Sequence, residues 1–303
     1  MDDLVLFCKS YDKDMLRAKR MAESVQLYNV DNLNLYMCVP NKDLTAFKGS
    51  FKGIQCNFVT DEDVLLKSSF MQGDIPPSYP SHLIQQLVKL EFWRMNYCQN
   101  YVWIDSDCYF IKDFYRSDFI AEKALPYTIQ HQSEELFSFA STYDDSIIES
   151  FCHLANKFSR LFNRIGPSYN FGYAPLIWSS IVLESLYEDY LLARNETIYS
   201  LLLKYPCEMQ LYGEYAHYCR KIPIFPKKPL FKVYHYAEQF LRDQMNGYND
   251  QSLSKEYLGV VMQSNWASPS GKSGMQWLRQ KIRKYRKRLR FFMYDKVRLI
   301  LSI

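Results

Sequence analysis

The sequence predicts an α/β fold with a Rossmann-like, mostly parallel central sheet and flanking helices, followed by a C-terminal amphipathic helical tail. Short apolar runs rich in β-branched and aromatic residues alternate with longer segments of helical period over residues 1–104. This rhythm favours parallel strands joined by helical crossovers, and the ligands of such sheets bind beyond the carboxyl ends of the strands. A cationic segment with an apolar stripe ends the chain and indicates the tail.

The first half of the chain has the clearest elements. Strands are predicted at Leu4–Cys8, Leu33–Val39, Ile54–Val59 and Tyr101–Ile104. A helix is predicted from Asp12 to Tyr28. After a Pro-rich turn, Ser81 is the predicted N-cap of a second helix, whose inward-facing residues include Leu83, Leu87 and Leu90.

From about residue 125 the pattern becomes mixed. The predicted elements are extended segments at Ala124–Ile129 and Asn170–Ala174, helices at 145–162, Ser179–Leu192 and Glu208–Cys219, and strands at Ile222–Phe225 and Phe231–His235. The simplest partition is one domain over 1–248, a connection over 249–274 and the tail over 275–303.

Composition places the chain among ordinary globular proteins, because 48% hydrophobic and 23% charged residues allow one large core or two smaller ones. The eight cysteines include no CxxC pair and several lie in apolar runs, which predicts reduced core residues. Neither a signal-peptide pattern nor an apolar stretch long enough to span a bilayer is present. We therefore expect a cytoplasmic protein.

Two carboxylates follow the strand that ends at Ile104. Side chains alternate along an extended chain, so Asp105 and Asp107 are expected on the same side of the backbone. Two such charges repel each other unless a cation lies between them. Hard oxygen ligands hold Mg²⁺ or Mn²⁺, and such an ion also binds the two phosphates of a nucleoside diphosphate.

The order of apolar strand, Asp105-Ser106-Asp107 and apolar Cys108–Ile111 resembles the DxD motif of GT-A fold glycosyltransferases, in particular bacterial enzymes that build capsule or lipopolysaccharide glycans. The likeness extends more loosely over residues 4–236. It implies a metal-dependent hexosyltransferase that uses a nucleotide-sugar, with a UDP-sugar favoured. Asp105 would contact the ribose or a metal-bound water, and Asp107 would bind the metal. His235, at the end of the last predicted strand, is the candidate third ligand, although a core or surface histidine remains an alternative.

The same resemblance assigns candidates for binding the donor. Ser10 and Tyr11 follow the first strand, where such enzymes hold the base and ribose, and Arg17 and Lys89 are candidates for meeting the phosphates. The segment from Tyr169 through Asn170 to Trp178 resembles the part that lines the sugar and acceptor pocket. Solvated helix charges remain the alternative interpretation for both basic residues.

Glu208 and Glu214 are the candidate catalytic carboxylates. An inverting transfer requires a base that takes the proton of the acceptor hydroxyl, and either residue could serve. Glutamates at a helix start also stabilise the helix dipole, so a structural role is the alternative. The sequence leaves open the sugar, the acceptor and the stereochemical outcome.

Two other functions compete with the transferase. A haloacid-dehalogenase-like phosphatase also places DxD after an apolar strand. Its motif normally follows the first strand and continues to Thr or Val at the position that Tyr109 occupies here. An inactive glycan-binding or scaffold module on the same fold is the second alternative, and turnover of a nucleotide-sugar would exclude it.

The tail over 275–303 carries ten lysines and arginines against the single acidic residue Asp295. Apolar residues recur in it at spacings of three and four, so one face of a helix would be apolar and the rest cationic. This pattern is typical of a helix lying on an anionic membrane and disfavours a nucleic-acid role. It predicts a peripheral enzyme on the inner face of a membrane, where lipid-linked glycan acceptors occur. A packed C-terminal helix or a dimer contact is the alternative.

Truncation tests this prediction. A chain ending at Gly274 should lose binding to anionic liposomes in a sedimentation assay, because each lysine or arginine near such a surface contributes about 1 kcal/mol. High salt should release the intact protein, whereas neutral liposomes should bind neither form well. Equal binding of both forms to anionic liposomes would contradict the proposed anchor.

Overall fold

A computed structural model describes residues 1–141 and 146–263 of the chain. Its strands are β1 (Asp2–Lys9), β2 (Leu35–Val39), β3 (Asn57–Thr60), β4 (Cys98–Trp103), β5 (Cys108–Phe110), β6 (Ile120–Glu122), β7 (Leu125–Ile129), β8 (Leu176–Ser179), β9 (Phe225–Lys227), β10 (Phe231–Tyr234) and β11 (Gly259–Met262). The predicted tail over 275–303 lies outside the described residues.

Helices cover both halves of the described chain. They are α1 (Met15–Tyr28), α2 (Asn41–Ser50), α3 (Asp61–Gln72), α4 (Ser81–Glu91), α5 (Glu134–Ala140), α6 (Ser146–Leu161), α7 (Ser180–Ser185), α8 (Ile198–Lys204), α9 (Glu208–Cys219), α10 (Ala237–Met245) and α11 (Asp250–Leu253). A π-helical turn, Leu186–Leu191, continues α7. Within the described residues, no helix combines the length and apolar character needed to cross a bilayer.

The central sheet has five strands in the order β3-β2-β1-β4-β8. The first four are parallel and β8 is antiparallel to β4. This confirms the predicted α/β class with a mostly parallel central sheet and flanking helices. β1 and β4 are neighbours in register from Asp2↔Cys98 to Phe7↔Trp103, so the segments that follow them emerge side by side.

Two three-stranded sheets extend the fold, in the orders β10-β11-β5 and β6-β7-β9. β11 lies inside the predicted connection over 249–274, and it pairs in parallel with β10 and in antiparallel fashion with β5. The folded domain therefore continues past residue 248 to at least Met262. The sequence analysis missed this strand because it begins at a glycine, a residue that is depleted in strands, and its partner β5 lies far away in the sequence.

An aromatic core fills the space behind β4. Trp103 and Trp178 meet edge to face with ring centroids 5.4 Å apart, and Tyr212 stacks on Trp178 at 4.9 Å. Trp178 is 1% exposed. The expectation that it lines an acceptor pocket is therefore wrong, because it belongs to the buried strand β8.

Several predicted element boundaries shift. α4 begins at Ser81 itself, with Pro80 as the residue before it and no side-chain cap, because Ser81 already has helical geometry. Asn170–Ala174 contains no strand and makes only an isolated bridge between Asn170 and His131. The strand expected at Ile222–Phe225 lies at β9, where pairing with β7 decides the register.

Gly259 permits the close pairing of β11 with β5. A Cβ at this position would lie 2.4 Å from the backbone oxygen of Tyr109 and 2.4 Å from the ring of Phe231. We therefore expect Gly259→Ala to lower the free energy of unfolding by about 1–3 kcal/mol, the usual cost of overpacking, in urea denaturation.

Gly49→Ala is the matched control. Gly49 lies in α2, and apart from its chain neighbours and the backbone of its own helix no atom lies within 4 Å of the position that a methyl group would take there. Alanine should therefore raise stability by up to about 1 kcal/mol through helix propensity. Equal effects of the two substitutions would contradict the steric argument.

Candidate active site

A cleft opens at the carboxyl ends of β1 and β4, the edge at which parallel sheets bind ligands. Its walls come from the segments after these two strands, from α4, from the start of α9 and from the residue after β11. The lining residues are Lys9, Ser10, Tyr11, Asp14, Gln85, Gln86, Lys89, Asp105, Ser106, Asp107, Glu208 and Gln263.

The turn that follows β4 carries both predicted acids into this cleft. Ser106 is buried, and its hydroxyl donates to the Ser10 hydroxyl at 2.9 Å, which ties the turn to the end of β1. The backbone oxygen of Asp107 accepts from the Met262 amide at 2.9 Å. Held on both sides, the turn presents Asp105 and Asp107 at the cleft surface, where both side chains are partly exposed.

Lys89 is the buried cation of the cleft. Its Nζ lies 2.8 Å from Asp105 Oδ1 and 3.2 Å from Glu208 Oε1, and 3.9 Å from the centroid of the Trp103 ring. Burial alone would lower the pKa of Lys89, but attraction to Asp105 and Glu208 prevails and raises it above its usual value. Lys89 is therefore a permanent positive charge between the two acids.

Negative charge nevertheless dominates the cleft. The cleft is lined by four carboxylates, those of Asp14, Asp105, Asp107 and Glu208, and by two ammonium groups, those of Lys9 and Lys89. The Lys9 ammonium is itself bound by buried Asp61 at 2.9 Å. An anionic ligand such as a diphosphate would enter an acidic surrounding, so it requires an accompanying cation.

The acid pair fits the way in which Mg²⁺ or Mn²⁺ is bound together with a phosphate ligand. Such ions use one or two protein carboxylates and take further oxygens from phosphates and water. Asp105 and Asp107 supply these carboxylates. Across residues 1–141 and 146–263, no group of three or more His, Cys, Asp or Glu side chains is arranged as a metal site.

His235 does not join the acids in such a group. β11 lies between β10, which His235 follows, and β5, which Asp107 precedes. The His235 ring packs edge to face on Tyr173, with centroids 4.5 Å apart. Burial, followed by repulsion from His131, lowers its pKa to about 4, so the imidazole is neutral at physiological pH.

Among the predicted donor-binding residues, Ser10 and Tyr11 line the cleft, and Tyr11 is 39% exposed at its mouth. Arg17 does not line the cleft. Its Nη1 donates to Asp14 Oδ1 at 2.6 Å, and Asp14 is the member of this pair that lines the cleft. Lys89 reaches the interior. The structure thus brings three of these four residues to the cleft.

Asn170 lies in a different pocket. Its Oδ1 accepts from the Gly172 amide at 2.8 Å, and its Nδ2 donates to the Ser133 hydroxyl at 2.8 Å. This neighbouring pocket is also lined by the aromatic side chains of Phe137, Phe151 and Tyr169. Asn170 therefore orders the loop beside the cleft and does not line the cleft itself.

The two glutamates of α9 have different surroundings. Glu208, the first residue of the helix, lines the cleft. Glu214 is fully buried, and both its carboxylate oxygens accept from Arg164, with Nη2 at 2.7 Å from Oε1. Arg164 also donates to the Pro167 oxygen at 2.7 Å. Glu214 thus anchors the loop over 164–170 and is too enclosed to contact a substrate.

Several lining residues were not among the predicted site residues. Lys9 and Asp14 lie close in sequence to the predicted Ser10 and Tyr11. Their place at the end of β1 and just after it could have indicated that they line the cleft. Gln85 and Gln86 share α4 with the predicted Lys89, and one helical face was the signal there. Gln263 had no local signal, since it enters the cleft through the pairing of β11 with β5 and β10.

Comparisons with known proteins give one family and several structural likenesses. The family model described as a family of unknown function, DUF6492, matches residues 3–258. Mouse xyloside xylosyltransferase 1 is similar in structure with a TM-score of 0.45 and 11% identity, over 88% of this chain and 99% of that one. The bifunctional glycosyltransferase WbbM has a TM-score of 0.47 and 10% identity, over 89% of this chain and 46% of that one. No curated protein matches by sequence.

Proposed function

The chain belongs to the family of unknown function DUF6492, and from that premise we propose that it is a metal-dependent glycosyltransferase of the GT-A type. It would move a hexose from a nucleotide-sugar, with a UDP-sugar favoured, to a glycan or lipid-linked glycan acceptor in the synthesis of capsule or lipopolysaccharide. The observation that carries the proposal is the acidic cleft at the ends of β1 and β4, in which Asp105 and Asp107 lie beside the buried ammonium of Lys89.

The acid pair would hold Mn²⁺ or Mg²⁺ against the diphosphate. When bound, the ion neutralises the negative charge that develops on the leaving diphosphate. Asp107 would be a direct ligand, and Asp105, which is 40% exposed, could contact the ribose or a metal-bound water. Since no group of three His, Cys, Asp or Glu side chains forms a site among the described residues, phosphate oxygens and water would supply further ligands.

Lys89 would bind the diphosphate that the metal accompanies. Its ammonium has three donor hydrogens, and Asp105 and Glu208 are its charged partners. A phosphate oxygen is a suitable further acceptor in this low-dielectric position over Trp103. The permanent charge of Lys89 would therefore stabilise both the bound donor and the departing diphosphate.

The mouth of the cleft suits a nucleoside. Tyr11 offers a partly exposed ring on which a base can stack, and the Ser10 hydroxyl lies next to the acidic turn. Arg17 would act through Asp14, whose position it holds by an ion pair. This arrangement supports a base bound at the end of β1 and a diphosphate bound at the end of β4.

Glu208 is the proposed base if the reaction inverts the anomeric centre. It lies at the start of α9, lines the cleft and shares the Lys89 ammonium with Asp105, so the acceptor hydroxyl would approach it there. Its carboxylate would take the proton of the acceptor hydroxyl while Lys89 keeps it in place. The enclosed Glu214 is not proposed for this role.

The acceptor would approach past the loop over 169–174, and the tail over 275–303 would keep the enzyme on the membrane that carries a lipid-linked acceptor.

The phosphatase alternative gains no support. Tyr109 stands at the position where that motif has Thr or Val, and its hydroxyl donates to Asp250 at 3.3 Å.

Metal dependence is the first test. The protein should gain thermal stability with UDP-sugars only when Mn²⁺ or Mg²⁺ is present, since selective binding to the folded state contributes about 2.7 kcal/mol at a hundredfold excess over Kd. EDTA and Asp107→Ala should each abolish this shift and sugar transfer, because the diphosphate would meet uncompensated negative charge.

Asp113→Ala is the control for that experiment. Asp113 is exposed, lies beyond β5 and is absent from the cleft lining, so its substitution should change neither the shift nor the rate. Metal-independent transfer by the Asp107→Ala protein would refute the assignment of the acid pair.

A second experiment separates the two roles of Glu208. Glu208→Gln keeps a hydrogen-bond acceptor for Lys89 but removes the base, so we expect the transfer rate to fall by about 10²–10⁴ while the Kd of the donor is retained. Glu184→Gln, on the exposed side of α7, serves as the matched control. A rate near that of the wild type would exclude Glu208 as the base, and a weakened donor Kd would assign it to positioning Lys89.

A further inference from the structure

Gln86 has a buried polar atom with no partner. Within the described residues, three buried side-chain atoms lack a hydrogen-bond partner: Gln86 Oε1, Arg94 Nη2 and Trp103 Nε1. Of these three side chains, only that of Gln86 lines the cleft. A buried amide oxygen without a donor is unfavourable, and native proteins pair nearly all such atoms with a protein group, water or ligand.

The position of Gln86 relates it to the phosphate-binding part of the cleft. Gln86 and Lys89 are three residues apart on α4, so they lie on the same face of the helix, one turn from each other. The Lys89 ammonium only donates hydrogen bonds, whereas the amide oxygen of Gln86 only accepts them. The same helix face therefore presents one group that requires an acceptor from a ligand and one group that requires a donor.

A phosphate satisfies only one of these groups. Its oxygens accept hydrogen bonds from Lys89, but an ionised phosphate has no hydrogen to donate to Gln86 Oε1. A hydroxyl group has one, and a nucleotide-sugar carries hydroxyls on both sides of its diphosphate.

We propose that Gln86 binds a sugar hydroxyl of the nucleotide-sugar and thereby selects among donors. The inference rests on the proposed function and adds a specificity-determining residue to it. The hydroxyl belongs either to the ribose or to the transferred sugar, since both flank the diphosphate. A donor that lacks this hydroxyl leaves the buried amide unpaired, and sites of this kind discriminate strongly against such analogues.

The test measures Kd by calorimetry in the presence of Mn²⁺ for the wild type and Gln86→Met. The ligands are UDP, UDP-glucose, UDP-galactose, UDP-N-acetylglucosamine and inorganic pyrophosphate, which has no sugar hydroxyl. Gln86→Met should weaken binding of the preferred UDP-sugar by about tenfold, the scale of one hydrogen bond to a buried polar group. Binding of pyrophosphate should stay unchanged.

The pattern over the ligands identifies the hydroxyl. If Gln86→Met weakens binding of UDP and of the UDP-sugar equally, the hydroxyl belongs to the ribose. One of the two analogues, 2′-deoxy UDP or 3′-deoxy UDP, should then have the same Kd for the wild type and the variant. Weakening of the UDP-sugar alone assigns it to the transferred sugar, and the corresponding deoxy-sugar donor should remove the difference.

Two controls distinguish ligand binding from packing. Gln244→Met, on the exposed side of α10, should leave every Kd unchanged. The ligand-free Gln86→Met protein should melt at or above the wild-type temperature, because an unpaired buried amide has been removed. A lower melting temperature together with equal weakening of every ligand, pyrophosphate included, would show a packing role and overturn the inference.

The remaining outcomes separate this inference from the proposed function. If the wild type binds a UDP-sugar and Gln86→Met binds all ligands with the same Kd, a water molecule satisfies the amide and the inference alone fails. If the wild type binds none of the nucleotides or nucleotide-sugars, the proposed function fails and the inference fails with it.

Discussion

The candidate site depends on the burial of one ammonium group. Lys89 joins α4 to the turn after β4 through Asp105, and to the start of α9 through Glu208, which lies 119 residues further along the chain. A charge removed from water is tolerated only with well-placed partners. The Tyr101 hydroxyl adds a 2.7 Å bond to the backbone oxygen of Lys89, which fastens α4 to β4. α4, the turn after β4 and the start of α9 thus meet at one point, where two acids neutralise a single ammonium group.

The surroundings of this ammonium bear on how a mostly acidic cleft would hold the anionic donor that we propose. Trp103, Trp178 and Tyr212 form an aromatic floor without mobile charges, so the fields of the few charged groups above it are weakly screened. In such a cleft one divalent ion would offset the excess negative charge of the lining residues. The hydroxyl bridge between Ser10 and Ser106 keeps the turn from relaxing when that change occurs.

Local chain geometry was enough to predict part of this site, whereas long-range contacts decided the rest. The period of the strand predicted that Asp105 and Asp107 share a side, and α9 begins and ends at the predicted residues, Glu208 and Cys219. Six residues apart on that helix, Glu208 and Glu214 point in different directions, and only the distant Arg164 shows which is enclosed. α2 was missed because it has few apolar residues. α3 was missed because its apolar residues are spread around the helix, with Leu66 and Phe70 exposed, although Thr60 and Asp63 form a capping box that signals its start.

The place of β11 in the sheet has a consequence for the order in which the site forms during synthesis. Its Met262 amide supports the backbone of Asp107, yet Met262 leaves the ribosome 155 residues after that acid. Contacts between such distant segments form late, after the central strands can already have paired. The nascent chain would therefore hold a folded central sheet before its acidic turn is supported on both sides, and the proposed metal site would form only when the domain is nearly complete.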